Sequence, residues 1–267
     1  AIRPVDRLTG LAEEVAATQD LSRRIDVDSG DEVGRLATTF NGMLAALEQA
    51  RASQEQLVAA ASHELRTPLT SLRTNIEVLS RVDRLDPEAR QALIDDVVLQ
   101  LDEFGRLVTG LVELARGDRP AQGATPVRLD ELVERVVART RTHDGAGPTL
   151  TVDARPTTVL AEVDRVERAV ANIVDNAMTY GDGHLHRPAV ADGTVTVRDH
   201  GPGIAPEDLP HVFDRFYRAV DARGAPGSGL GLSIVDQVAR AHGGSVEATN
   251  APDGGAVVAL RLPPVDR

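Results

Sequence analysis

Apolar residues in the first fifty positions recur at alternating spacings of three and four. The spacing appears at Val5, Leu8, Ala12 and Val15, and again at Val33, Leu36, Phe40, Met43 and Leu47. Residues 20–31 interrupt it and end in the turn-forming segment Asp28-Ser29-Gly30-Asp31. This is the spacing of a coiled-coil seam, and neither helix can cover its apolar stripe alone. The pattern therefore predicts two helices in a small parallel bundle formed with a second copy of the chain.

A longer helical pattern continues beyond residue 50 and resumes after a short break. Its apolar positions are Leu57, Ala61, Leu65, Leu69, Leu72, Ile76 and Leu79, and then Ile94, Val97, Leu101, Phe104, Val108, Leu111 and Ala115. Pro68 lies inside the first segment and is expected to kink that helix. Asp86 followed by Pro87 is a start signal for the second helix. The two helices predict a helical hairpin, and two hairpins form a four-helix bundle.

The periodicity changes after Gly117. Residues 117–126 have the composition of a linker. Beyond it, helical patterns at 130–142, 164–179 and 230–241 are interspersed with strand patterns at 149–152, 157–160, 194–198, 245–248 and 256–262. Asp164 is expected to cap the second of these helices. The prediction is a multi-domain protein in which an all-α N-terminal part precedes a two-layer α/β sandwich.

Composition narrows the possible functions. The 267 residues carry a formal net charge of −12 and no cysteine, and only 2% of them are aromatic. Disulfides and thiolate metal sites are therefore excluded. Nucleic-acid binding is disfavoured because it depends on a basic surface or on aromatic stacking. The sequence contains no lysine, so arginine supplies all of its 29 basic side chains.

His63 is the first candidate for chemistry. At about 100° per residue it lies about 200° from Ala61 and from Leu65, so it points away from the predicted core. A lone histidine in that position is usually a surface residue. Here Glu64 is adjacent and suited to accept the ring proton, and a neutral imidazole is a nucleophile near neutral pH.

Asn172 and Asn176 form a second cluster, since residues four apart share a helix face. Carboxamide oxygens suit a hard cation that bridges phosphates. Taken alone, the pair is equally compatible with surface amides.

Two glycine clusters follow, Asp199-His200-Gly201-Pro202-Gly203 and Gly227-Ser228-Gly229-Leu230-Gly231. The first follows a predicted strand, and its Asp199 can accept a hydrogen bond from an exocyclic amine; a tight turn is the alternative. The second opens a helix, where backbone N–H groups bind phosphate. Residues between the clusters are predicted to form a lid anchored by Phe213 and Phe216.

The remaining histidines are expected to have no catalytic role. His184 and His186 lack a third ligand for a metal site, and His143, His211 and His242 are expected to be ordinary surface residues.

Together and in this order, the clusters resemble those of the sensor histidine kinases of two-component signalling. Among these, they are similar to the clusters of the actinobacterial MprB/PrrB-type sensors. Residues 62–70 resemble the phosphoacceptor box, 172–180 the asparagine box, and 199–204 and 227–232 the two glycine boxes, with 213–218 as the phenylalanine box. The resemblance implies a HAMP linker at 1–52, a dimerisation and histidine phosphotransfer hairpin at 53–116, a linker at 117–126 and a catalytic ATP-binding domain at 127–267.

The resemblance also implies roles for residues. His63 would be the nucleophile, Glu64 the general base, and Thr67 would position water in a reverse phosphatase reaction. Asn176 would coordinate Mg²⁺. The ATP site would comprise Asn172, Asn176, Tyr180, Asp199, Gly201, Gly203, Ile204, Phe213, Arg215, Arg218, Gly227, Ser228, Gly229, Leu230, Gly231 and Leu232.

The implied partners are a second copy of the chain and a response regulator receiver domain, with no nucleic acid. The full-length protein is expected to be anchored in the cell membrane upstream of Ala1, and this segment is expected to be its soluble cytoplasmic portion.

Two positions depart from the family pattern, in which lysine is common at position 179 and an acidic or amide residue at position 60. Thr179 and Ala60 occupy them here. Two other functions remain open. The first is an ATPase of the gyrase, chaperone or mismatch-repair type, which would lack the histidine-bearing hairpin. The second is a non-enzymatic HAMP-containing dimer with a degenerate kinase core, which Thr179 favours.

Overall fold

A computed structural model describes residues 3–26, 32–80, 86–115, 117, 121, 123–144, 151–181, 186–219 and 227–265. The chain forms two compact units, Ala1–His63 and Glu64–Arg267. Its helices are α1 (Arg3–Thr18), α2 (Glu32–Leu79), α3 (Pro87–Ala115), α4 (Leu129–Asp144), α5 (Val163–Tyr180) and α6 (Gly231–Ala241). Its strands are β1 (Thr125–Arg128), β2 (Asp153–Ala154), β3 (Thr158–Ala161), β4 (Ala189–Ala191), β5 (Thr194–Arg198), β6 (Ser245–Asn250) and β7 (Ala256–Arg261).

The first unit contains α1, an irregular connector and the beginning of α2. The amide of Asn41 fixes the connector, because Oδ1 accepts from the Ile25 N–H and Nδ2 donates to the Ile25 carbonyl, each at 2.9 Å. Ala37 and Leu44 are buried, whereas Leu36 and Met43 of the predicted seam are about half exposed. The apolar seam is thus left uncovered in a single chain. The predicted turn at residues 28–31 lies outside the described residues.

The helical hairpin of the second unit follows the sequence pattern closely. Helix α2 continues without a break through Pro68, and α3 begins at Pro87 as predicted. The Asp86 carboxylate accepts a hydrogen bond from the Ala89 N–H at 2.8 Å, which confirms Asp86 as the N-cap.

The α/β part confirms the predicted two-layer sandwich, and its larger sheet is mixed. Five strands lie in the order β2-β4-β5-β7-β6, with β2 parallel to β4 and the other neighbours antiparallel. Strands β1 and β3 form a separate antiparallel pair. Helices α4, α5 and α6 pack against one another and against the five-stranded sheet, which gives two layers. The core lies between the layers and contains Val166, Val170, Ile173, Val174, Val195, Val197, Ile234, Val235, Val238, Val258 and Leu260.

Some local predictions in this part are wrong. Thr151 and Val152 are not in a strand, since the short strand begins at Asp153, and residues 149–150 lie outside the described part. Helix α5 begins at Val163, so Asp164 lies in its first turn and Glu162 is the N-cap residue. Strands β1 and β4 were not predicted, and β1 occupies the end of the expected linker. Each missed strand has three or four residues, too few for a clear alternation.

Asp130 joins the two-stranded pair to α4. Its Oδ1 accepts hydrogen bonds from Arg128 Nε at 2.9 Å and from the Thr157 N–H at 3.2 Å. The bond from Arg128 lowers the pKa of the buried Asp130 carboxyl below its ordinary value, with the Thr157 N–H contributing in the same direction.

We expect Asp130→Asn to lower the free energy of unfolding by about 1 kcal/mol at neutral pH, because a charge-assisted bond becomes a neutral one. The folded-state pKa is depressed, so this stabilisation is present above the unfolded-state pKa and is lost as the pH falls through the folded-state value. Urea unfolding at neutral and acidic pH measures both effects. Glu247→Gln, on an exposed side chain of β6, is the control. Equal stability of parent and Asp130→Asn at neutral pH would contradict the assignment.

Candidate functional site

His63 lies on the exposed surface of α2, as its helical phase predicts. Ala61 and Leu65 are half-buried, whereas the side chains of His63, Glu64 and Thr67 are exposed. The imidazole is therefore accessible to a reaction partner. The catalytic roles of these three residues stay predictions.

A cavity of about 920 Å³ lies in the second unit, between α3, α4, one face of α5 and the segment that leads into α6. Its size suits a nucleotide. The predicted site residues that line it are Asn172, Asn176, Tyr180, Arg218, Gly227, Ser228, Gly229, Leu230, Gly231 and Leu232. Asp199, Gly201, Gly203, Ile204, Phe213 and Arg215 are not in its wall. The structure therefore brings the asparagine cluster and the second glycine cluster together.

Helix α5 contributes its two asparagines because its opposite face is held in the core. Ile173, Val174 and Ala177 are buried, which turns Asn172 and Asn176 towards the cavity. The Asn172 Nδ2 is buried and has no hydrogen-bond partner among the described residues. Such a group is costly unless a ligand satisfies it. The two amides fit a site for Mg²⁺ with phosphate, since Mg²⁺ prefers oxygen ligands and retains several waters.

Thr179 lines the cavity without offering a cation. Its hydroxyl donates to the Asp175 carbonyl at 2.8 Å, one turn back on the same helix. The arginines in the cavity wall are Arg106, Arg139, Arg168 and Arg218. Arg139 is paired with Glu167. Arg168 is paired with Glu113. Among the described residues of the wall, the positive charge is therefore entirely arginine, and carboxylates hold at least two of these four side chains.

Asp199 directly follows the last residue of β5. It is buried, and its Oδ1 accepts hydrogen bonds from the Gly201 N–H at 2.8 Å and the Ala256 N–H at 2.9 Å. Oδ2 accepts neither of these bonds, so it is the oxygen suited to an exocyclic amine. A Cβ at Gly201 would lie 2.2 Å from the carbonyl oxygen of Tyr180. Glycine at 201 therefore lets the first glycine cluster contact the end of α5.

Asn250 organises the rest of the first glycine cluster and was missed from the sequence. Its Oδ1 accepts from the Ile204 N–H at 2.8 Å, and its Nδ2 donates to the Ile204 carbonyl at 2.6 Å. Gly203 adopts a φ of 84°, and a Cβ there would lie 2.8 Å from the Asn250 Oδ1. Asn250 is 46 residues away in sequence, so no local pattern reveals this contact.

The phenylalanine box contacts the second glycine cluster through the backbone. The Phe216 N–H donates to the Gly229 carbonyl at 3.0 Å. Gly229 adopts a φ of 70°, and a Cβ there would lie 2.8 Å from the Phe216 carbonyl carbon. Phe213 is half-buried and Arg215 is exposed. Residues 220–226 of the predicted lid lie outside the described part, so the lid stays a prediction.

The wall contributed by α3 was also missed from the sequence. Glu103, Arg106, Leu107 and Gly110 line the cavity. The predicted seam of α3 is its other face, and Leu101 and Val108 of that seam are exposed in the single chain. Helix α3 therefore has two apolar faces. The spacing of Leu107, Gly110 and Leu114 indicates this second apolar face in the sequence.

His242 is not an ordinary surface residue. Its Nε2 accepts a hydrogen bond from the Glu162 N–H at 3.0 Å, and its Nδ1 lies 2.8 Å from the Val238 carbonyl. It therefore links the end of α6 to the start of α5. His211 is exposed and pairs with Asp214, in agreement with a surface position, whereas His184 and the side chain of His143 lie outside the described residues.

His186 and His200 stack beside Asp199. Their ring centroids are 3.8 Å apart, and within the described part of the chain the buried His186 Nε2 has no hydrogen-bond partner. Burial lowers the pKa of His186, and the nearby His200 and Arg198 lower it further. No group of three or more potential metal ligands is present among the described residues.

Three family models match successive parts of the chain. The HAMP domain matches residues 1–49, and the His Kinase A (phospho-acceptor) domain matches residues 53–120. The histidine kinase-, DNA gyrase B- and HSP90-like ATPase matches residues 161–266. The phospho-acceptor domain separates this chain from gyrase-type and chaperone-type ATPases. The chain belongs to the sensor histidine kinases.

The curated relatives support the same assignment over nearly the whole chain. The signal transduction histidine-protein kinase/phosphatase MprB of Mycobacterium ulcerans (strain Agy99) is 42% identical over 265 residues, 95% of this chain and 52% of the relative. MprB of Mycolicibacterium smegmatis (strain ATCC 700084 / mc(2)155) is 41% identical over 95% of this chain and 54% of the relative. This histidine kinase chain therefore spans about half the length of the curated relatives it matches.

A solved structure supports the fold. The Acinetobacter baumannii histidine kinase AdeS aligns with 75% of this chain and 98% of its own, with a TM-score of 0.57 and 24% identity.

Within the described residues, no helix is both long and apolar enough to cross a membrane.

We expect His186→Gln to reduce the loss of stability on mild acidification. The folded-state pKa lies below the ordinary value of 6.5, so unfolding takes up a proton as the pH falls through that value. The parent should therefore lose more thermal stability than the variant between about pH 7.5 and 5.5. His211→Gln, which removes an exposed histidine paired with Asp214, should not reduce this loss. Parallel melting profiles for the parent and His186→Gln would rule out this role.

Proposed function

We propose that this chain transfers the γ-phosphoryl group of ATP to His63 and then to an aspartate of a response regulator. The observation that carries the proposal is the cavity in which Asn172 and Asn176 lie opposite the glycine segment 227–231. The same chain presents an accessible His63 beside Glu64 on a phospho-acceptor domain. A nucleotide site and a phosphoryl acceptor are thus present together.

The reaction needs few groups from the protein. A nitrogen of the neutral His63 imidazole attacks the γ-phosphorus, an N–P bond forms, and the P–O bond to ADP breaks. Glu64 accepts the proton of the other ring nitrogen, which keeps the ring nucleophilic. The aspartate of the receiver domain then takes the phosphoryl group from His63. In the reverse, phosphatase direction, the Thr67 hydroxyl positions the attacking water.

The nucleotide is held by groups around the cavity. Asn176, with Asn172 beside it, would hold Mg²⁺, and the ion would neutralise phosphate charge. Asp199 Oδ2 accepts from the adenine amine, while Tyr180, Gly201, Gly203 and Ile204 shape that end of the site. Arg218, which lines the cavity, and Arg215 supply positive charge to the phosphates.

The working assembly is a homodimer. Leu69, Ile76, Leu101 and Val108 of the hairpin are exposed in a single chain. A second hairpin would cover this apolar surface in a four-helix bundle. The domain boundaries at 52, 116 and 126 and the membrane anchorage implied by the HAMP domain remain part of the proposal.

We expect the intact chain, incubated with γ-labelled ATP and Mg²⁺, to acquire acid-labile, alkali-stable label. His63→Gln should abolish the label and retain ATP binding, because His63 accepts the phosphoryl group and does not line the cavity. His211→Gln, a histidine exchange on the surface of the α/β part, should label like the parent. Label that persists in His63→Gln would refute the site. A folded parent that binds ATP without labelling would favour the degenerate kinase core.

We expect Asn176→Ala to weaken Mg-ATP binding by about tenfold or more, or ~1.4 kcal/mol, since a metal ligand is removed. Calorimetric titration of the intact chain measures this loss. Asn75→Ala removes an amide from α2, outside the cavity, and should leave the affinity unchanged. An Asn176→Ala protein with parental affinity for Mg-ATP would count against the metal role.

A further inference from the structure

The C-terminal half of α3 packs against the nucleotide-binding layer along one continuous face. Leu107, Gly110, Glu113 and Leu114 on this face are buried, and Glu103 lies at its N-terminal end. These residues are spaced three or four apart except for the adjacent pair at 113–114. The predicted dimer seam is on the other side of α3, so the two contacts do not exclude one another.

Glu113 is the anchor of this face. Its side chain is fully buried, and its carboxylate accepts from Arg165 Nε at 2.8 Å and Arg168 Nη1 at 2.6 Å. The backbone carbonyl of Glu113 accepts from Gln237 Nε2 at 3.3 Å. One residue of α3 is therefore bonded to both α5 and α6. We call the group Glu113, Arg165 and Arg168 the ion latch.

Gly110 allows the close approach that the ion latch requires. A Cβ at this position would lie 3.3 Å from the terminal methyl groups of both Leu230 and Ile234. That separation is tight, so a larger side chain would press α3 away from the start of α6. By contrast, a Cβ at Gly105 on the same helix would meet nothing within 4 Å.

At the other end of this face, α3 presents a carboxylate to the phosphate-binding segment. Glu103 Oε1 accepts a hydrogen bond from the Gly227 N–H at 3.0 Å. Gly227 begins the glycine segment that enters the N-terminus of α6, and it lines the cavity. Backbone N–H groups in such a segment are donors for phosphate oxygens. The Glu103 carboxylate therefore occupies a backbone hydrogen-bond donor that a nucleotide phosphate would use.

Arg168 is affected by the same docking. It lines the cavity one turn before Asn172 on α5, yet its guanidinium is bound to Glu113. Docked α3 thus neutralises a cation of the cavity wall and occupies a backbone donor in it. Both effects lower the attraction of the cavity for a polyphosphate.

We propose that α3 is an internal competitor of the nucleotide phosphates: Glu103 occupies the Gly227 N–H, and the ion latch holds the helix there. The inference rests on the proposed binding of ATP in this cavity. A nucleotide that takes the Gly227 N–H displaces Glu103, so ATP binding and the docking of α3 oppose one another. By linkage, any input that undocks α3 raises the affinity for ATP.

The test compares nucleotides with and without phosphates. Glu103→Gln keeps the size of the side chain and removes its charge, and its matched control is Asp102→Asn on the adjacent exposed residue of α3. Calorimetric titration of the intact chain should show Mg-ATP binding to Glu103→Gln about three- to tenfold more tightly than to the parent. Adenosine affinity should be unchanged, because adenosine has no phosphate. Asp102→Asn should match the parent for both ligands.

The ion latch is tested separately with Gly110→Leu, which pushes α3 from α6 without changing any charge, and with Gly105→Leu as its control. Glu113→Gln is a second latch variant, with thermal melting as the check of folding. Both latch variants should gain affinity for Mg-ATP selectively over adenosine.

The outcomes separate the two proposals. A folded parent that binds neither ligand overturns the proposed function together with this inference. If the parent binds ATP, but Glu103→Gln and Gly110→Leu keep the parental ratio of ATP affinity to adenosine affinity, only the proposed competition is overturned. Weaker ATP binding by Glu103→Gln also overturns it, because Glu103 would then be a ligand rather than a competitor.

Discussion

The packing of α3 in the second unit depends on one buried carboxylate, that of Glu113. Glu113 is fully withdrawn from solvent on α3, and Arg165 and Arg168 of α5 hold it in position. A buried charge is expensive to desolvate, and loss of one partner from such a group typically destabilises a protein by about 3–5 kcal/mol. The alternative positions of α3 that leave Glu113 buried but unpaired are therefore strongly disfavoured. The position of α3 at the cavity follows from this constraint.

Helix α5 carries both the arginines of the ion latch and the two asparagines that line the cavity. One side of the helix is buried in the core between the sheet and α6. The other side carries Arg165, Arg168, Asn172 and Asn176 at spacings of three or four, so the ion latch and the two amides that line the cavity lie along one surface. Because α3 itself lines the cavity and is bonded to α5, a change in the position of α3 changes the wall of the cavity.

Much of the fold and part of the site were predictable from sequence. The long helices have strong periodicity, and Asp86 with Pro87 marks the start of α3, so these features were predicted correctly. Asn172 and Asn176 were predicted to share a face because their spacing is a property of any helix. Strands β1 and β4 were missed because they are short. Asn250 and His242 were missed because their hydrogen bonds join residues that are distant along the chain.

Sequence alone determined the order of the elements and the exposure of His63 on its helix, and it predicted a set of groups suited to hold ATP. These features depend on helical phase, on residue chemistry and on short spacings, which are local. The tertiary structure decided which face of α3 meets the nucleotide layer, that Glu113 is buried there, and that the Glu103 carboxylate reaches the Gly227 N–H. Periodicity shows that a helix has an apolar face, but the neighbour that covers it depends on the packing of distant segments.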